Sequence, residues 1–356
     1  MSTQTEQVWE TLRQAGLTEG AAPETGKLES PWYVKILLAF SGWLAAVFLL
    51  GFIGMGLGFV FESSGAAMII GGMMIGGAFA LLRISKNEFV EHLALAVSLA
   101  GQVLVVFALF DISSSDQEIA WLLLALLQLS LAVVMPNFVH RVFSSFVAAI
   151  AFTICLTYWG GYYVVGGMVM FLAALCWLHE FRYPRQMKRI QAIGYGLVLA
   201  LILLKGTALF GYRTIGWLFS RDQPELWAGP WIGELLTGVV AIYVVWHLLQ
   251  RYGQRISERI TITALSGTIL LCGVSMEVQG ITVGMVIVLL GFAGANRVLV
   301  GLGVLSLLFY ISFYYYLLDT TLLAKSQTLL IVGLVLLLLR WLMLTFIPAN
   351  QEAKHV

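Results

Sequence analysis

The sequence of 356 residues is 60% hydrophobic and 11% charged, with a formal net charge of +1 and a mean hydropathy of +0.91. Soluble domains carry about one quarter charged residues, so this composition excludes a water-soluble fold, and the near-zero net charge gives no indication of a nucleic-acid partner. The apolar stretches have the length at which a helix crosses the bilayer, about 20 residues, and they lack the period-two alternation of a membrane barrel. The sequence therefore predicts an all-α, polytopic transmembrane helical bundle.

Residues 1–30 are polar and acidic, without the basic start and short apolar core of a cleavable signal peptide. We expect them to form a cytoplasmic tail, in which Val8, Trp9, Leu12 and Leu17 indicate a short amphipathic helix. A transmembrane domain is predicted over residues 31–347, and residues 348–356 form a second cytoplasmic tail.

Twelve membrane spans are predicted in the domain. They cover residues 36–60, 64–82, 89–110, 119–135, 142–159, 162–178, 192–211, 231–249, 260–275, 281–296, 298–318 and 328–347. Two pairs, 142–159 with 162–178 and 260–275 with 281–296, are short and joined by glycine-containing turns. Either pair could be a re-entrant hairpin, which would reduce the count to ten without changing the orientation of the other spans.

The charges of the loops predict the orientation. With the N-terminus inside, fifteen of the 20 Lys and Arg residues fall on cytoplasmic segments, Arg141 and Arg189 among them, whereas the outer segments hold Arg213, Arg221 and Lys325. A Lys and Arg excess on the inner side is the rule for short loops. Both termini are therefore expected to be cytoplasmic.

Two groups of glycines predict close helix packing. Because lipid provides little hydrophobic drive between helices, small residues that let backbones approach are favoured at contacts. We expect the first two spans to pack closely through these glycines, against each other or a neighbour, and we expect another close crossing near the C-terminal end. The glycines are Gly54, Gly56, Gly58, Gly71, Gly72, Gly76 and Gly77 in the first group, and Gly291, Gly294, Gly301 and Gly303 in the second.

Three charged residues fall inside predicted spans, where an unpaired charge is costly. Lys205 and Glu234 lie in consecutive spans, both near the outer side, so an ion pair between them is geometrically possible and is one hypothesis. The alternative is that each side chain reaches the outer headgroups separately. Arg340 lies about two turns from the inner end of the last span, as either an interfacial anchor or a buried residue.

Other polar residues are weaker candidates. Gln102 and Gln128 are predicted to form hydrogen bonds between helices near the middle of the membrane. Tyr310, Tyr314, Tyr315 and Tyr316 precede Asp319 at the outer end of a span, as an aromatic belt or as the lining of an outer cavity. No histidine or cysteine spacing typical of a metal site and no nucleophile motif is present, so neither an enzyme nor a cofactor is predicted.

Several stretches are similar to a known family. They are Ser30-Pro31-Trp32-Tyr33-Val34, Phe40-Ser41-Gly42-Trp43-Leu44-Ala45-Ala46, Val97-Ser98-Leu99-Ala100-Gly101-Gln102, Gly291-Phe292 through Asn296-Arg297, and the block from Tyr314 to Ser326. Together they resemble the bacterial membrane family of domain of unknown function 4401, over about residues 7 to 347.

The resemblance implies a bacterial inner-membrane protein whose family has no assigned activity. It also implies a partner, because members are often encoded beside a small protein with a G-D-Y-x-x-L-x-x-x-Y motif. The matched polar positions Gln102, Asn296, Arg297, Asp319, Lys325 and Ser326 are the first candidates for function.

Two functions are open at this point. A membrane subunit or scaffold for a small membrane or periplasmic partner is slightly favoured, on the Tyr–Asp–Lys block and the implied gene neighbour. A transporter of a small solute or lipid is the alternative, on the number of spans and on Lys205 and Arg340.

Overall fold

The described part of the chain is almost entirely helical in the computed structural model. Described are residues 9–11, 13–16, 32–56, 62–84, 88–209, 229–251, 258–277, 279–317, 321–323, 326–327, 330–331, 333–334, 337–338 and 341. No strand is found among these residues, which confirms the all-α prediction. Residues 9–11 and 13–14 are helical, where the tail helix is predicted, and the predicted last span falls mostly outside the described residues.

Eleven longer helices follow one another along the described residues. They are α1 (Trp32–Gly56), α2 (Ser64–Ile84), α3 (Glu88–Ile112), α4 (Gln117–Val134), α5 (Phe138–Tyr158), α6 (Tyr162–Leu178), α7 (Met187–Leu209), α8 (Pro230–Arg251), α9 (Glu258–Glu277), α10 (Ile281–Ala293) and α11 (Arg297–Leu317). Short 3₁₀ turns over Glu180–Arg182 and Pro184–Gln186 join α6 to α7.

Seven helices within the described ranges are long and apolar enough to cross a membrane. Three further apolar helices are shorter, at Tyr162–Leu178, Thr261–Gly273 and Ile281–Ala293. The protein is therefore a helical membrane protein, whereas the count of twelve spans and the orientation of the termini stay predictions. The short helices are one member of the first predicted hairpin pair, at Tyr162–Leu178, and both members of the second pair, since Thr261–Gly273 lies within the predicted span 260–275.

The start of α5 differs from the prediction. The predicted span begins at residue 142, which leaves His140 and Arg141 in the preceding loop. Instead Asn137 caps the helix, its Oδ1 accepting the His140 N–H at 3.1 Å. Both His140 and Arg141 are buried. The added turn makes α5 long enough to span a membrane.

The chain divides into two compact units, Met1–Leu104 and Val105–Val356. In the first unit, α2 and α3 are in close contact at Gly101, because a Cβ placed there would lie 2.7 Å from the carbonyl oxygen of Gly71. This confirms close packing at Gly71. For Gly56, Gly72, Gly76 and Gly77 the prediction is wrong, since a Cβ at each would meet open space.

The second unit has a core of small and branched side chains from α5 to α8, α10 and α11. The predicted C-terminal crossing is confirmed between α10 and α11, where a Cβ at Gly291 would lie 2.7 Å from the Val300 backbone nitrogen, and one at Gly303 2.8 Å from that of Val288. Gly301, by contrast, faces open space.

Candidate functional site

The predicted ion pair between Lys205 and Glu234 is confirmed. Lys205 Nζ lies 2.6 Å from Glu234 Oε1 and donates a hydrogen bond to it. Lys205 is on α7 and Glu234 is on the first turns of α8, and the two residues are only 6% and 5% exposed. The alternative, in which each side chain reaches the headgroups separately, is therefore wrong for this structure.

Hydroxyl groups complete the bonding of the carboxylate. Ser275 Oγ on α9 donates to Glu234 Oε2 at 3.2 Å, and Thr237 Oγ1 lies 3.4 Å from the same oxygen. The Thr282 backbone N–H, at the start of α10, in turn lies 3.4 Å from Ser275 Oγ. Lys205, Glu234, Thr237 and Ser275 form the ion-pair cluster. Because both carboxylate oxygens have donors, the charge of Glu234 is held in a low-dielectric site.

The sequence interpretation missed the two hydroxyl residues. Ser and Thr are common in membrane helices and usually bond to a carbonyl of their own helix, as Thr237 Oγ1 also does to Glu234 O at 2.8 Å. The spacing of three residues between Glu234 and Thr237 was a usable signal, because it places both on one helix face. No comparable signal in the sequence pointed to Ser275.

Glycines on α6 and α8 make room for the pair. Helix α6 packs against both α7 and α8. A Cβ at Gly166 of α6 would lie 3.3 Å from Lys205 Cε, one at Gly167 would lie 2.7 Å from Leu236 Cβ, and one at Gly233 of α8 would lie 2.6 Å from the Tyr163 carbonyl oxygen. The side chain of Lys205 thus runs beside Gly166, where a larger residue would be in its way.

A small cavity of about 20 Å³ adjoins the lysine. Its walls include Thr153, Tyr162, Tyr163, Gly166 and Lys205. A volume of this size holds about one water molecule. The ion-pair cluster therefore borders a space that is large enough for water but too small for an organic solute.

A second group of polar side chains lies where the 3₁₀ turns, α7 and the α10–α11 turn meet. The Tyr195 hydroxyl donates to Asn296 Oδ1 at 2.9 Å and accepts from Nδ2 at 2.7 Å. Asn296 Oδ1 also accepts the Leu299 N–H at 3.1 Å, at the start of α11. Asn296, a candidate from the sequence, therefore fixes the turn and ties it to α7.

Glu180 belongs to the same region. Its Oε2 accepts a hydrogen bond from Gln191 Nε2 at 3.2 Å, and a Cβ at Gly294 would lie 2.8 Å from its Oε1. Burial raises the pKa of the Glu180 carboxyl above its ordinary value, although the Gln191 bond and the charge of Arg251 oppose the rise. Glu180 was not among the sequence candidates.

The remaining candidates are dispersed. Gln102 is buried in the first unit, and its Nε2 donates to Ser98 Oγ at 3.2 Å on the same helix. Arg297 is exposed at the first residue of α11. Asp319, Lys325 and Arg340 lie outside the described residues. Among the candidates that the structure describes, Lys205 and Glu234 are the pair that it brings together.

The four tyrosines do not form one cluster. Tyr310 and Tyr314 are buried, and the Tyr310 hydroxyl donates to the Ile202 carbonyl oxygen at 3.2 Å. Tyr315 and Tyr316 are exposed, Tyr316 to 79%. Over the part of the chain that the structure describes, no group of His, Cys, Asp or Glu has the arrangement of a metal site.

Comparison with known proteins identifies a family. A family model described as Domain of unknown function (DUF4401) matches residues 31–345, nearly the range over which the sequence resembles it. No curated protein and no solved structure matches the chain.

Proposed function

The chain belongs to the family of domain of unknown function 4401, and we propose that it is a multi-pass transporter of a small solute in a bacterial inner membrane. The observation that carries the proposal is the ion-pair cluster, in which Lys205 and Glu234 lie 2.6 Å apart and buried beside a water-sized cavity. Charged residues within membrane helices are rare, and they mark solute or proton pathways more often than other positions do.

The proposed mechanism is a switch in the partner of Glu234. Protonation of its carboxylate would remove the attraction that holds Lys205, and the freed ammonium would then be available to an anionic group of the solute. Ser275 and Thr237 would still bond to the neutral carboxyl, since a hydroxyl is both donor and acceptor. The cavity beside Gly166 is the direction in which water would enter.

The test is whether water reaches the cluster from both sides. A transporter opens its central site alternately to each side. In a variant without Cys155, Cys176 and Cys272, we would introduce Thr153→Cys in the cavity wall and label it with a membrane-impermeant thiol reagent. Labelling of inside-out and right-side-out vesicles is expected, whereas Val165→Cys in the core should stay unlabelled. Protection of Thr153→Cys from both sides would contradict transport.

A scaffold for a small protein partner is the second candidate. It is favoured by the exposed Tyr315 and Tyr316 at the end of α11, because exposed aromatic side chains are frequent in protein interfaces. The partner expected is the small protein with the G-D-Y-x-x-L-x-x-x-Y motif. No enzymatic activity is proposed.

The scaffold is tested by mild extraction from native membranes and mass spectrometry of proteins that remain bound in stoichiometric amount. A partner that is lost with Tyr316→Ala, or on charge reversal of Asp319 or Lys325, would support the scaffold. The matched control is Tyr183→Ala, an exposed tyrosine in the loop before α7. A chain that emerges alone would argue against it.

A further inference from the structure

Arg141 is a buried cation for which the described residues supply no acidic partner. It lies in the first turn of α5 and is only 4% exposed. Its Nε is buried with no hydrogen-bond partner, and no ion pair of Arg141 is found within the described residues. An arginine stays protonated in proteins, so burial of this guanidinium without an acid is unfavourable.

A second arginine faces Arg141 from the neighbouring helix. Helices α5 and α7 meet at Gly196, where a Cβ would lie 2.9 Å from the Phe146 backbone nitrogen and would also contact Ser145. Arg141 precedes Ser145 by four residues, and Arg189 precedes Gly196 by seven. These separations are about one and two helical turns, so both arginines lie on the sides by which α5 and α7 face each other, at the same end of the contact. At this end the charge of Arg189 acts on Arg141.

An apolar groove follows the same two helices. It has a volume of about 640 Å³ and begins at Val139, which lies in the same helical turn of α5 as Arg141. Val142 and Phe146 of α5, Leu199 and Leu203 of α7 and Phe309 of α11 are among the residues that line it. The volume is within the range of about 300–1,000 Å³ found for ligand sites, and the lining is apolar except for Thr207.

We propose that the contact between α5 and α7 binds one anionic phospholipid, with its phosphate between Arg141 and Arg189 and an acyl chain in the groove. A guanidinium forms paired hydrogen bonds with phosphate oxygens, and a singly charged phosphate between the two arginines would offset one of their two charges and weaken their mutual repulsion. Basic sites between membrane helices bind anionic headgroups in this way on the cytoplasmic side, which is where the loop charges place this end. The groove favours a lipid over a soluble phosphate, because inorganic phosphate has no apolar part.

The test is native mass spectrometry of the full chain in mild detergent, titrated with phosphatidylglycerol or phosphatidylcholine. The wild type should bind one phosphatidylglycerol in preference to phosphatidylcholine. Arg189→Gln and Arg141→Gln should each weaken the binding about fivefold, since a basic residue near the headgroups contributes about 1 kcal/mol. Arg185→Gln removes the same charge from an exposed position in the loop and is the matched control.

The groove is tested separately with Leu199→Trp, which fills it without changing a charge and should weaken phosphatidylglycerol binding. Because Arg189 is exposed, its variant should fold even if Arg141→Gln does not. Equal loss in Arg185→Gln and Arg189→Gln would show a non-specific charge effect. Displacement of the lipid by inorganic phosphate at the same concentration would show a free-phosphate site. Either result, or unchanged binding in Arg189→Gln and Leu199→Trp, would overturn the proposal.

Discussion

Removal of one partner of the Lys205–Glu234 pair should destabilise the protein strongly. At the observed separation of 2.6 Å, two unit charges attract each other by about 6 kcal/mol with an effective dielectric constant of about 20. Much of this attraction is offset by the desolvation of both groups. Lys205→Met leaves the Glu234 carboxylate buried beside Ser275 and Thr237 without its cation, and we expect a loss of about 3–5 kcal/mol.

The double variant Lys205→Met/Glu234→Leu should behave differently. It removes both charges together, so no uncompensated ion stays in the membrane, and stability should return to within about 1 kcal/mol of the wild type or exceed it. The loss of the hydrogen bonds to Ser275 and Thr237, each a net contribution of about 1 kcal/mol, is offset by the desolvation cost of the two charges, which the double variant no longer has.

The assay is thermal unfolding of the single and double variants in one detergent at pH 7, analysed as a double-mutant cycle. Thr153→Val is the matched control, because it removes a buried hydroxyl on the same cavity wall that bonds within its own helix, to Ala149 O at 2.7 Å. The control should lose no more than about 1.5 kcal/mol. A Lys205→Met variant as stable as the control would refute the ion-pair argument.

Three further predictions follow from single positions. Gly166→Leu should displace Lys205 and lower the unfolding temperature by about as much as Lys205→Met, whereas Gly72→Leu, in open space, should not. Glu180 has a raised pKa, so its carboxyl binds a proton more tightly in the folded than in the unfolded state. The free energy of unfolding should therefore rise as the pH falls from above that pKa towards the ordinary value for Glu. Glu180→Gln should flatten this trend when thermal unfolding is measured as a function of pH. Ala295 has φ of 50°, so Ala295→Gly should raise the free energy of unfolding by about 0.5–1 kcal/mol in chemical unfolding.

The ion pair could be proposed from the sequence as one of two alternatives, because a charge inside the membrane must either meet an opposite charge or reach the headgroups. An opposite pair of charges at similar depth on consecutive spans has a strong reason to meet. The position of Gly166 could not be predicted, since it matters only because α6 lies against both α7 and α8, a tertiary arrangement that helical spacing does not encode. The packing prediction for Gly72, Gly76 and Gly77 of α2 is wrong for the same reason, because spacing alone does not say which helix face has a neighbour.

Depth and direction are separate properties of a helix residue, and this explains two other outcomes. The four tyrosines of α11 share a depth, but Tyr310 and Tyr314 are four residues apart and face inward together, whereas Tyr315 and Tyr316 face outward. Similarly, the loop-charge pattern places Arg141 on a cytoplasmic segment, whereas the structure buries it in α5. A hydropathy pattern records neither the facing helix nor a ligand that would neutralise such a charge.

Stability and water access together separate a structural role of the ion pair from transport. A pair that only fixes the positions of α7 and α8 can be replaced by Met and Leu without changing how Thr153→Cys is labelled, because the helices stay packed through Gly167 and Gly233. A pair that switches during transport cannot be replaced in this way without changing the labelling, since Met and Leu have no charge to exchange and would hold the cavity closed. If the double variant is stable but loses labelling from one side, the charges serve the movement of the helices rather than their packing.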